Sequence, residues 1–165
     1  MTTLADDLTR LFVRDLEALG RELELFPAEA GVWQTAPGTT NSAGTLALHV
    51  CGGLRHFVGA VLGQTGYVRD RDAEFSRRGL PRVDLLAEIG QTVDVIRQVV
   101  PGLPPEVLEA LYPVAINGVT LSTRRFLIHL ATHAAFHLGQ AGYLRRALTG
   151  EATSSGAVAI GALQD

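Results

Sequence analysis

Apolar residues recur every three or four positions through the first part of the chain, at Leu8, Phe12, Leu16, Leu19, Leu23 and Phe26. That spacing returns each side chain to one face of a helix and predicts an amphipathic helix. The segment PAEAGVWQTAPGTTNSAG breaks the pattern with Pro, Gly, Thr and Asn and reads as a connection, with Asn41 or Ser42 as N-cap of the next helix. This second helix is predicted from about Ser42 to Gly63, its stripe running through Leu46, Val50, Gly53, Phe57 and Ala60. The stretch GQTGYVRDRDAEFSRRGLP is polar, charged and punctuated by glycine, so it reads as a long loop. Leu86, Ile89, Val93, Ile96 and Val100 predict a third helix, stopped by Pro101-Gly102.

Asn117-Gly118, between two short apolar runs, reads as a small hairpin or a plain turn. A fourth helix starts near Thr120 or Ser122 and ends at Gly150, a natural C-terminal cap. Arg145 and Arg146 fall in its last turn, where positive charge is favoured. The tail EATSSGAVAIGALQD carries little to anchor it. The pattern predicts an all-α fold, an up-down-type four-helix bundle over residues 1–150 with a long loop between the second and third helices, and then a tail over 151–165.

Composition narrows the function. With 165 residues and 47% hydrophobic content, one domain can bury its own core. Charged, histidine or glycine residues interrupt each apolar stretch, so no membrane span is expected. The acidic N-terminus MTTLADDLTRLFVRDLEAL does not resemble a secretory leader, and the single cysteine, Cys51, forms no internal disulfide. Both point to the cytoplasm. All fourteen basic residues are Arg, which removes lysine Schiff-base and phosphate-loop chemistry. A net charge of -3 and a pI near 5.9 lack the basic footprint of a nucleic-acid binder.

The candidate chemistry lies in RFLIHLATHAAFHLGQAGYLRRALTG, where His129, His133 and His137 stand at four-residue steps. At about 100° per residue, His133 and His137 lie about 40° apart on one face, in a stripe shared with Phe126, Leu130, Gln140 and Leu144. Both imidazoles therefore face the bundle, while His129 sits at the stripe's edge. Burying two imidazoles side by side costs desolvation that a divalent ion would remove, but two ligands rarely hold an ion. The second helix offers His49 and His56, seven residues apart, with Gly52 and Gly53 between them allowing close approach of another helix. Spacing does not choose between them. Against this stands the plain alternative that each histidine is a hydrogen-bonded core residue. Cys51 lies about 200° around the helix from His49 and reads as a small buried hydrophobe.

The combination TNSAGTLALHVCGGLRHFVGAVLG, RDRDAEF and LIHLATHAAFHLGQAGYLRRALTG resembles the DinB/YfiT-like superfamily, over about Leu8 to Gly150. The resemblance implies a four-helix bundle, commonly a homodimer, with a divalent metal held by one histidine of the second helix and two of the last. By position these are His49, His133 and His137, which favours His49 over His56. It also implies thiol transfer, with cofactors such as bacillithiol or mycothiol, since the better understood members are linked to it.

Three neutral imidazoles would bind Zn²⁺, Ni²⁺, Mn²⁺ or Fe²⁺ and leave positions open for water or a thiol. The loop from Arg69 to Arg78 is the expected rim. There Arg69 and Arg71 are candidates to clamp an anionic thiol cofactor, and Glu74 is the candidate general base. Gln140 is placed to support a ligand or simply to pack. The residues admit three readings: a metal-dependent, thiol-dependent transferase acting on small electrophiles in detoxification; a non-catalytic, stress-associated metal-binding homodimer; and an interaction module without metal, which intact His49, His133 and His137 argue against. Neither nucleic acid nor membrane is an expected partner.

Overall fold

The computed structural model describes residues 2–164 and is all-α. Helix α1 (Leu4–Glu24) opens on a reciprocal cap in which Thr3 accepts from the Asp6 backbone N–H while Asp6 accepts from that of Thr3. It buries the predicted stripe Leu8, Phe12, Leu16, Leu19 and Leu23. Helix α2 (Ala43–Leu54) is capped by Ser42 and continues through Arg55–Leu62 in a wider winding. There the Gly63 N–H reaches back five residues to the Val58 carbonyl.

The loop expected between the second and third helices contains a short helix, α3 (Arg71–Ser76), capped by the Asp70 side chain. Helix α4 (Arg82–Val99) comes next, as predicted, then a five-residue α5 (Pro105–Glu109) that the pattern does not announce. Asn117 and Gly118 both take positive φ, 50° and 79°, and close a tight antiparallel bridge between Ile116 and Val119. The small hairpin is thus the form realised. Helix α6 (Thr123–Thr149) runs from the Ser122 cap to Gly150, whose φ of 72° is a left-handed stop.

Helix α1 packs on α4 and α6, and α2 packs on those same two helices. The four long helices therefore stand in the order α1–α4–α2–α6 around a shared core of Phe12, Leu16, Val50, Ile96, Phe126 and Leu127. Each connection, α1 to α2 and α4 to α6, joins helices on a diagonal. The one with α3 instead joins neighbours, and this sets Glu74 against α2. Tyr112 ties the α5–α6 segment down by donating to the Phe57 carbonyl at 2.8 Å.

Three expectations change. The segment Ala43–Leu62 is in fact long and apolar enough to cross a membrane, since Arg55 is its only charged residue, but more than half of it is buried among the other helices. Arg145 does not serve the helix end. It points inward, is fully buried and donates to Glu22 Oε2 of α1 at 2.6 Å. The tail, finally, is anchored through its backbone. Arg145 donates to the carbonyls of Glu151 and Thr153, Arg21 to that of Ser155 and Arg10 to those of Leu163 and Gln164.

Candidate metal centre

His49 comes from the middle of α2, and His133 and His137 from adjacent turns of α6, which packs on it. Their ring centroids form a tight triangle: 5.2 Å from His49 to each of the other two and 4.4 Å between His133 and His137. One ring nitrogen from each lies within 4.8 Å of both others, and among the described residues this is the His, Cys, Asp and Glu grouping able to hold an ion. All three are half-buried.

Hydrogen bonding decides which nitrogens are free. Glu74 Oε2 lies 3.0 Å from His49 Nδ1, while Arg69 donates from Nε to Oε1 at 2.6 Å and from Nη2 to Oε2 at 2.8 Å. Burial pushes the Glu74 carboxyl upward, but the bonds from His49 and Arg69 outweigh it and hold it below the usual carboxylate range. An ionised carboxylate only accepts, so His49 carries a proton on Nδ1, and its neutral ring has Nε2 bare. His137 repeats this arrangement, its Nδ1 donating to Gln140 Oε1 at 2.7 Å. Its bare Nε2 faces His133 Nε2 at 3.0 Å. Nitrogens that share one ion at about 2.0–2.1 Å stand roughly 3 Å apart.

Burial also favours the neutral forms of His133 and His137. It drives His133 down to about 4, with the nearby His137, His49 and His129 rings and Arg69 adding to the effect. His137 is lowered chiefly by burial, against the opposing bond to Gln140. Three imidazole nitrogens this close together, with the far nitrogens of His49 and His137 tied to acceptors, fit a divalent transition ion.

The other candidates separate cleanly. His56 lies two turns beyond His49, about 10 Å along the helix axis, too far to share an ion with it. It packs beside Phe57 with its Nδ1 buried and unpaired. His129 is exposed and stacked on Phe126. Cys51 is buried on the far side of α2, and burial pushes its thiol up to about 12. Both Glu74 oxygens take part in hydrogen bonds, Oε2 with His49 and Arg69 and Oε1 with Arg69. Arg69 binds Glu74 through Nε and Nη2, whereas Arg71, exposed, lies over the Phe75 ring at 5.1 Å.

A cavity of about 430 Å³ opens beside His49 and His133. Leu54, Phe57, Phe126 and Leu130 make its apolar wall; Arg69, Arg71 and Asn117 make its polar edge. Asn117 is not placed here by its spacing, because the hairpin meets the cavity through tertiary packing. A second cavity, about 510 Å³, lies between residues 36–41 and the later part of α6 and touches the centre only through Gln140.

The model of the DinB superfamily matches residues 11–141. A search among curated proteins finds no match.

Proposed function

The chain belongs to the DinB superfamily, and from that premise we propose that it is a divalent-metal-dependent enzyme, a thiol-dependent S-transferase acting on small electrophiles. The observation that carries this reading is the convergence of three imidazole nitrogens beside an accessible cavity. Three protein ligands are the number found in catalytic sites, whereas structural zinc is usually closed by four. A bound divalent cation would lower the pKa of a thiol at the site, supplying a thiolate at neutral pH.

The chain's own residues take the remaining tasks. His49, His133 and His137 hold the ion. Glu74 and Gln140 hold the Nδ1 protons of two of those ligands in place. Phe57, Phe126 and Leu130 exclude water from one side of the cavity and favour an apolar substrate body. Arg71, at the edge, attracts an anionic group on the thiol or the electrophile.

A non-catalytic role for the ion is the second reading, and one observation favours it: the carboxylate at the site is held by both Arg69 and His49. One experiment separates them. Cobalt-substituted protein is titrated with cysteine, bacillithiol and mycothiol, then assayed with a chromogenic electrophile. Saturable spectral change with conjugate formation supports the transferase; full cobalt occupancy without response to any thiol leaves only the stabilising role. The homodimer belongs to the same proposal. The uncharged outward stripe of α6, with Phe136 61% and Tyr143 78% exposed, supports self-association. Sedimentation at micromolar concentration tests it, and a monomer there would overturn it.

A further inference from the structure

Helix α3 has six residues, and two of them grip one imidazole. Glu74 meets the His49 ring at its Nδ1 edge, and Phe75 packs on it with ring centroids 4.8 Å apart. The carboxylate is itself held: Arg69 binds both of its oxygens in a parallel pair of hydrogen bonds, and the group is buried. Gly52, one turn beyond His49 on α2, supplies the space. A methyl group there would overlap Glu74 Oε1 and stand 2.7 Å from its carboxyl carbon. Any side chain at this position would force the Glu74 carboxylate out of the place where it meets His49.

An imidazole free in water prefers to carry its proton on Nε2. Left alone, His49 would then present an N–H where an ion needs a lone pair. We propose that Glu74 is the positioning residue of this centre: fixed by Arg69 and given room by Gly52, it keeps the His49 proton on Nδ1 and turns Nε2 toward His133 and His137. The purpose of the bare nitrogen rests on the metal reading above, whereas the tautomer is a property of the metal-free chain. The two are tested separately.

The variants are Glu74→Ala, Glu74→Gln and Gly52→Ala, with folding checked by thermal unfolding. In metal-free wild type, long-range ¹H–¹⁵N spectra should show His49 protonated on Nδ1. Glu74→Ala should return the proton to Nε2 and weaken Zn²⁺ binding about 10–100-fold against a competing chelator. Glu74→Gln keeps an acceptor oxygen and should restore the Nδ1 proton and part of the affinity. Gly52→Ala, which leaves every hydrogen-bonding group in place, should mimic Glu74→Ala and carries the test should that variant not fold. An Nε2-protonated His49 in wild type overturns the proposal, as does a folded Glu74→Ala or Gly52→Ala with wild-type tautomer and affinity. A wild type that binds no Zn²⁺ yet switches tautomer in Glu74→Ala overturns the metal reading and supports the positioning role.

Discussion

Glu22 on α1 and Arg145 on α6 form an ion pair with side chains 2% and 0% exposed and a 2.6 Å contact between Oε2 and Nε. Two charges placed so far from water hold each other only while both are present. Replacing Arg145 by Met leaves the buried Glu22 carboxylate only its longer 3.9 Å contact with Arg146 and should cost about 3–5 kcal/mol of stability. The double replacement Glu22→Leu with Arg145→Met should recover a large part of that loss, because no charge is left unpaired. Urea denaturation of the three proteins measures both, and a single variant within about 0.5 kcal/mol of wild type would show that the pair is not shielded as described.

The three converging histidines should separate from the other two by metal content. Purified wild type should carry a divalent ion near one per chain, and His133→Ala or His137→Ala should lose it. His56→Ala and His129→Ala should retain it. Chelation should lower the melting temperature of wild type, since an ion at 100 times its dissociation constant adds about 2.7 kcal/mol to the folded state. Elemental analysis beside thermal unfolding checks both statements, and equal metal content in wild type and His133→Ala would remove the site.

Cys51 should be inert. Its thiol is buried and pushed up to about 12 by that burial, so thiolate is scarce at neutral pH. An aromatic disulfide reagent at pH 8 should label it only at the rate of unfolding, and fully in denaturant. Rapid labelling of the folded chain would mean that α2 opens locally.

His56 sets a pH dependence of its own. Burial first, and Arg69 second, hold its folded value below the ordinary 6.5, against a smaller opposite influence from Glu74. The unfolded chain therefore takes up this proton before the folded one does. Stability linked to His56 is intact above about pH 6.5, declines as pH falls through the folded value, and is flat below it. His56→Gln should lack this decline. Urea midpoints of the two proteins at pH 8, 6.5 and 5 should diverge toward acid; parallel curves would refute the assignment.

Much of this fold is legible because its long helices repeat their pattern over several turns. The α1 stripe from Leu8 to Leu23 is buried as its spacing requires, and α6 begins and ends at Ser122 and Gly150 because a hydroxyl cap and a left-handed glycine are local chemistry. Helix α3 completes fewer than two turns, too short for a period to emerge from Arg71 to Ser76. The choice between His49 and His56 depends on the level at which α2 meets His133, a tertiary quantity that spacing does not contain. Glu74 is a carboxylate in a charged segment until Gly52 is seen opposite it. Arg145 likewise looks like an ordinary last-turn cation until Glu22 is found at the same height on α1.

The clasp on the tail has its own consequence. Arg10, Arg21 and Arg145 take hold of main-chain oxygens at Glu151, Thr153, Ser155, Leu163 and Gln164, and oxygens of that kind are the same in every amino acid. The grip is therefore indifferent to lettering: this terminus can drift in sequence and keep its path, whereas shortening it strips the guanidinium of Arg145 of two acceptors in the protein's interior. Substitutions there should pass almost unnoticed, and deletions should not.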